Sequence, residues 1–222
     1  MIAWLLAAFF AASPTGTLEA ARDQQDRAAL QRMADEAAAA AAKAPNDAEA
    51  QYRMALASSY LAEVALELRD KKLAEQAAER GVKAAEQATA LKPDTAEYYR
   101  VLGTLCGQVI PANVLTGLGY GKRAKDAIDK AIAKDPKSSP AYMARGVGNY
   151  YLPAALGGGM DVAIADFRKA IDLDPRNADA YLWLGLTLRK QNKDAEARQA
   201  FQKSLELNPR RVWEKQQLEK TK

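Results

Sequence analysis

The chain has 222 residues, 49% of them hydrophobic and 27% charged, with a net charge of +4. That is apolar enough to bury a core, and its Lys and Arg are too interleaved with Asp and Glu to form the concentrated basic face that nucleic acid requires. It contains no histidine, which excludes Ser-His-Asp and Cys-His nucleophile systems, histidine acid–base catalysis and nearly all zinc ligand sets. The single cysteine, Cys106, cannot make an internal disulfide and reads as a small buried hydrophobe within a helix.

Ile2 to Ala12 is an uncharged apolar run, IAWLLAAFFAA, followed by the small and turn-forming Ser13-Pro14-Thr15-Gly16-Thr17. It is shorter than the ~20 residues that span a bilayer. It fits the apolar segment of a secretory signal peptide with a small-residue cleavage region, although no Lys or Arg precedes it. Residues 1–17 are therefore expected to direct export, to the periplasm, with no stable membrane insertion once removed. The alternative is an uncleaved N-terminal anchor. No cysteine follows the run, so a lipid attachment site is absent.

Residues 18–45 are expected to form one N-terminal helix, in which the run Ala37 to Ala42 is good helix former. Pro45 then opens a regular punctuation by Pro45, Pro93, Pro136, Pro175 and Pro209. Proline lacks an N–H and biases the residue before it away from helix, so each should close a helix. Fixed anchors follow each of the first four prolines: Met54-Ala55, Leu102-Gly103, Arg145-Gly146 and Leu184-Gly185. Fixed anchors also precede the next one: Gly81 and Ala85, Ala124 and Ile128, Ala163 and Phe167, Ala197 and Phe201. Four repeats follow, at 46–93, 94–136, 137–175 and 176–209, each a pair of helices. Residues 210–222, RRVWEKQQLEKTK, should form a helix that caps the exposed end with Val212, Trp213 and Leu218.

The last repeat carries a recognisable pattern. Tyr181, Leu184-Gly185 and Leu188 are followed by Ala197, Phe201 and Pro209. This resembles the tetratricopeptide repeat (TPR), W-x2-L-G-x2-Y, A-x3-F, P over about 34 residues, with Tyr for Trp and Leu for Tyr. The resemblance implies an all-α, TPR-type helical-hairpin solenoid with an orphan N-terminal helix. The proline spacing shrinks along the chain, and the anchors place the extra length between the two helices of each earlier repeat. In the first repeat both helices should be longer, turning near Asp70-Lys71. In the second, Ile110 to Gly121 (IPANVLTGLGYG) should be an irregular loop broken by Pro111. In the third, Tyr150-Tyr151-Leu152-Pro153 leads to Gly157-Gly158-Gly159. Over residues 95–209 the last two features are similar to a group of exported bacterial TPR proteins with a Gly-Gly-Gly insertion, which implies localisation and architecture rather than an activity.

The chemistry-bearing motifs are weak. Gly157-Gly158-Gly159 lacks the Lys-Ser/Thr of a P-loop and a preceding strand. Asp161, Asp166, Asp172 and Asp174 lack the alternation and closing Glu of a calcium loop. No cofactor, metal or enzymatic activity is expected. In TPR proteins the first helix of each repeat lines the concave surface. Carried over, that implies partner-binding residues at Tyr52, Tyr60, Arg100, Met143, Tyr150, Tyr151 and Arg189. Leu56, Thr104, Val147 and Leu186 stand where the chaperone-binding clamp would need Asn. Leu115, Leu118 and Tyr120 are expected to fold against Tyr150 to Leu156 as the wall of a pocket, or else only to cap the overlong first repeat. The expected function is a non-catalytic scaffold for a protein or peptide partner in the cell envelope. The alternative is a small-ligand-binding accessory protein of an exported solute-binding or transport system.

Overall fold

The computed structural model describes residues 14–112 and 117–221, with side chains from Leu18 onward except those of Ala112 and Leu118. Most of the expected signal sequence, residues 1–13, lies outside the described residues. Among them the chain is all helical: α1 (Pro14–Asp23), α2 (Arg27–Lys43), α3 (Ala48–Glu67), α4 (Lys71–Leu91), α5 (Ala96–Ala112), α6 (Gly117–Lys134), α7 (Ser139–Tyr151), α8 (Met160–Leu173), α9 (Ala178–Lys190), α10 (Asp194–Leu207) and α11 (Val212–Glu219). A 3-10 turn occupies Ala154–Leu156.

The proline punctuation explains the helix ends. Ala44, Lys92, Asp174 and Asn208 are C-caps directly before Pro45, Pro93, Pro175 and Pro209. After the turn a polar side chain restarts the helix. The side-chain oxygens of Asp47, Ser138 and Asn177 accept from the N–H groups of Glu49, Ala141 and Ala180 at 3.0, 3.3 and 3.0 Å. These caps satisfy donors that the first helical turn leaves without partners.

α3–α4, α5–α6, α7–α8 and α9–α10 pack as antiparallel hairpins, and each second helix also packs on the next first helix. The first helices touch in succession, α3 on α5, α5 on α7 and α7 on α9, with no comparable contact between the second helices. The first helices therefore form the inner wall of a TPR-type solenoid. Small residues set the spacing within the hairpins. A Cβ on Gly146 would lie 2.5 Å from the Phe167 ring, and one on Gly185 2.7 Å from the Phe201 ring. Both rings are fully buried. The first hairpin takes its extra length as longer helices, with Asp70 capping α4 by accepting from Leu73 N–H at 3.1 Å. α11 lies against the last hairpin, where Trp213 and Leu218 pack on the core that contains Phe201.

Two expectations are corrected. Residues 18–45 do not form one helix. The chain turns at Gln24–Asp26, where Gln25 has φ 53°, and Asp26 starts α2 by accepting from Ala29 N–H at 2.9 Å. Within Ile110–Gly121 the described residues, 110–112 and 117–121, are helical rather than irregular. Pro111 lies in the last turn of α5 and Gly117, Gly119 and Gly121 lie in the first turns of α6. A Cβ on Gly117 would sit 3.5 Å from Ile110, and one on Gly121 3.9 Å from it. The side chain of Ile110 thus packs along the glycine face of α6.

Candidate functional site

The inner wall is built by α3, α5, α7 and α9, and most of its polar side chains are already engaged. Tyr52 stacks on Tyr98 with ring centroids 5.0 Å apart and donates from its hydroxyl to Glu97 at 3.1 Å. Arg100 makes two 2.6 Å hydrogen bonds to the same Glu97. Burial pushes the Tyr60 hydroxyl up to about 12, and the guanidinium of Arg22 lies 5.3 Å from the Tyr60 ring centre. Met143 is half-buried on α7. Leu56 and Leu186 are buried in the packing between repeats. Arg189 is spent on the C-terminus: it donates to Gln217 O at 2.9 Å, Gln217 Oε1 at 2.8 Å and Thr221 Oγ1 at 3.3 Å.

α1 pairs with α2 and touches α3 as the later first helices touch one another, so it continues the wall. α1 buries Leu18 and Ala21 against the first hairpin, and its last two residues reach across to the fourth. Arg22 donates to Asp179 of α9 at 2.9 Å and to Asp23 at 2.9 Å. Asp23 accepts from Asn208 Nδ2 at 2.8 Å. Arg211, 1% exposed, closes the ring from the other end. It donates to the Arg22 carbonyl at 3.0 Å, to Glu63 at 2.7 Å and to Glu67. Burial works against the Arg22 charge, but the carboxylates of Asp179, Glu63 and Asp23 outweigh it and raise its pKa. Burial likewise pushes Asp179 up, and Arg22, Arg211 and Arg100 together hold it below the usual carboxylate range. Charges from α1, α3, α5, α9 and the start of α11 therefore share one buried site.

The free surface lies at the C-terminal end of the wall. Tyr151, Tyr150, Trp183 and Trp213 form a row of rings from α7 through α9 to α11. Successive centroids are 4.9, 5.7 and 6.0 Å apart. Lys190 lies 4.4 Å from the Tyr150 ring centre, a cation–π distance. At the outer end Tyr151 is 58% and Leu156 64% exposed. The Gly157-Gly158-Gly159 segment shapes this edge, with φ of 85° at Gly157 and 106° at Gly159. A Cβ on Gly158 would collide with the Leu152 carbonyl at 2.5 Å. Behind the edge, Asp166 is buried and accepts from Arg145 at 2.6 Å and Asn149 at 2.7 Å, which pins α7 to α8.

The structure thus brings together Tyr150 and Tyr151 from the expected partner-binding set, with the Arg189 charge acting on the Tyr150 hydroxyl, and gathers Tyr52, Tyr60 and Arg100 separately on α3 and α5. Tyr120 does not pack against Tyr150 to Leu156. It packs on the cores of the first two hairpins, with Arg123 4.8 Å from its ring centre and bonded to Glu86 of α4 at 2.5 Å. Tyr120 thus belongs to the packing between the first two hairpins. Leu115 and the side chain of Leu118 lie outside the described residues. Trp183 and the α1 pair Arg22-Asp23 were not legible as site residues. Trp183 neighbours Leu182 on α9, but the carried-over pattern gives it no role. An open cleft of about 430 Å³ lies between α2 and α4, lined by Arg27, Gln31, Asp70 and Leu73 among others. Cys106 is buried, and burial pushes its thiol up to about 11.

The family described as Regulator of microtubule dynamics protein 1-3 matches residues 17–152, and the family described as Tetratricopeptide repeat matches residues 157–211. Among solved structures, a thermophilic TPR protein of Thermus thermophilus is 22% identical. It superposes with a TM-score of 0.65, over 94% of this chain and 95% of its own. MamA from Desulfovibrio magneticus RS-1 is 19% identical with a TM-score of 0.46, over 90% of this chain and 98% of its own. YrrB, a TPR protein with an unusual peptide-binding site, is 16% identical with a TM-score of 0.47, over 94% and 98%. No described helix is long and apolar enough to cross a membrane.

Proposed function

The chain belongs to the Regulator of microtubule dynamics protein 1-3 family, and from that premise we propose that it is a non-catalytic scaffold binding a protein or peptide partner along the Tyr150–Trp213 edge. The observation that carries this reading is the exposure of Tyr151 and Leu156, 58% and 64%, beside a continuous row of aromatic rings. Tyr and Trp are the types that dominate binding hot spots. An exposed apolar cluster rimmed by a cation such as Lys190 is the usual mark of a macromolecular contact. Immobilised wild-type protein should retain a specific protein from an extract of its own cell envelope, and the Tyr151→Ser, Leu156→Ser double variant should lose it with an unchanged melting temperature. Equal retention by both proteins overturns the assignment of the edge.

The reading includes export. The Ile2 to Ala12 run supports it, as does the resemblance of residues 95–209 to exported TPR proteins. Since α1 buries Leu18, Ala21, Arg22 and Asp23, cleavage has to fall before Leu18 for these contacts to persist. Mature protein recovered from its source cell should begin between Pro14 and Leu18. Intact Met1 in a soluble cytoplasmic fraction contradicts export.

A further inference from the structure

The contact between α1 and the last repeat holds more acid than base. The carboxyl groups of Asp23, Glu63, Glu67, Asp179 and Glu214 outnumber the guanidinium groups of Arg22 and Arg211. Arg100, whose charge also reaches Asp179, is spent on Glu97. We propose that Glu214 is the trigger of a proton-gated latch: with its proton it leaves Arg211 free to tie α1 and α3 to the last repeat, and without it it draws Arg211 to itself and lets the two ends of the solenoid part while every hairpin stays folded.

Arg211 is the residue that both ends share. Its Nη1 donates to the Arg22 carbonyl at 3.0 Å, and its Nη2 to Glu63 at 2.7 Å and to Glu67. The end of α1, α3 and the start of α11 therefore meet on one guanidinium. Its third nitrogen, Nε, is buried without a partner, and so is Oε1 of Glu214, three residues further along. A buried donor and a buried acceptor left unpaired are each costly. The two groups already act on one another through their charges. They are the halves of an alternative ion pair that the closed state does not make.

The surroundings of Glu214 decide which state is held. α9 and α1 face it with the carboxylates of Asp179 and Asp23, α10 with the Ser204 hydroxyl, and the turn before α11 with Arg211. The Ser204 hydroxyl already donates to the Ala178 carbonyl at 2.6 Å, and both terminal nitrogens of Arg211 are engaged. Glu214 is 1% exposed, so burial and the two like charges keep its proton on. Glu67 is also pushed up by burial, facing Glu63, but it is bonded to Arg211 and Gln25, so its ionised form is accommodated where that of Glu214 is not. Loss of the Glu214 proton has two consequences. A third carboxylate beside Asp179 and Asp23 repels Asp23, the last residue of α1. The idle Nε of Arg211 gains a carboxylate acceptor that competes with Glu63 and Glu67. The hairpins are untouched, since apolar contacts such as Phe167 on Gly146 and Phe201 on Gly185 hold them. The ends are therefore joined in acid and part as pH rises through about 8. This inference is independent of the partner assigned to the Tyr150–Trp213 edge.

The test uses the full chain with Cys106→Ala and spin labels at the exposed positions Glu19 of α1 and Gln199 of α10. Pulsed electron spin resonance should give one short distance in acid. A second, longer population should grow as pH rises through about 8, disappear on reacidification, and leave the helical circular dichroism unchanged. Glu214→Gln, which keeps the neutral form at every pH, should hold the short distance throughout. Should that variant fail to fold, the carbon-13 resonance of the Glu214 carboxyl group in the otherwise unaltered chain decides. It should titrate in step with the distance, with a midpoint of about 8 rather than 4.5. The proposal is overturned by a distance that does not change with pH, by opening that Glu214→Gln leaves in place, by helicity lost together with the short distance, or by a Glu214 carboxyl that ionises in the ordinary range.

Discussion

The last hairpin and the ring closure are both buried, yet they are held by opposite chemistry. In α9–α10 the contact is apolar and local: Phe201 fills the space left by Gly185, and Ala197 lies at the same interface, fully buried. In the closure the contact is polar and remote. Arg22 meets Asp179 and Arg211 meets Glu63 and Glu67, pairs that only the curvature of the whole solenoid brings together. The repeat core is fixed by neighbours in sequence and tolerates a change of length elsewhere. The closure depends on every hairpin between its two ends, so it reports on the superhelix as a whole.

The two largest effects are expected at the two centres. Phe201→Ala should cost about 3–5 kcal/mol by leaving a cavity, and Gly185→Leu should be disruptive by overpacking. Arg211→Ala should cost about 3–5 kcal/mol, because Glu63 and Glu67 stay behind without their counter-charge. Chemical denaturation checks both. The comparison sharpens if Phe201→Ala lowers the stability of the entire array while Arg211→Ala mainly frees α1 and α11. It breaks if either variant melts like wild type.

A smaller effect comes from the coupling across the closure. Arg22→Ala and Asp179→Ala should be non-additive by about 0.5–3 kcal/mol in a double-mutant cycle. Additive losses would mean that the two side chains do not meet in solution.

The closure should also respond to pH. Glu214, 1% exposed and with its Oε1 unpaired, is pushed from 4.5 up to about 8, first by burial and then by the charges of Asp179 and Asp23, against the pull of Ser204 and Arg211. The folded state holds this proton through a range in which the unfolded chain has released it. Its contribution is therefore complete below about pH 4.5 and is lost as pH rises through 8. Glu214→Gln should flatten the stability profile over that window. An unchanged profile would place Glu214 in water. The smallest effect is expected at the aromatic edge, where Tyr151→Ser should change stability by no more than about 0.5 kcal/mol.

The pattern of legibility follows the same division. Each hairpin was readable because its determinants lie within one repeat: the prolines stop helices, Asn177 and Ser138 restart them, and Gly146 and Gly185 admit Phe167 and Phe201. The break at Gln24–Asp26 was not readable, because it contains neither Gly nor Pro and its one signal was Asp26 as a cap. The glycines of α6 misled for the converse reason. Gly in a helix costs only about 0.5–1 kcal/mol, and Ile110 packing along that face offsets it. Arg189 and Arg100 matched the hot-spot pattern, but their partners, Gln217 and Glu97, are inside the molecule. Tyr150 and Tyr151 stood out as large rings beside an insertion, whereas the row they start depends on α9 and α11 lying alongside.

The most direct test of the central claim, that α1 is tied to the last repeat across the solenoid, is a distance between the two. Spin labels at the exposed positions Glu19 and Arg210, in a chain with Cys106→Ala, can be measured by pulsed electron spin resonance. A single narrow, short distribution is expected, and Arg22→Ala with Arg211→Ala should broaden and lengthen it. A broad, long distribution in the otherwise unaltered chain would show that α1 does not close the solenoid.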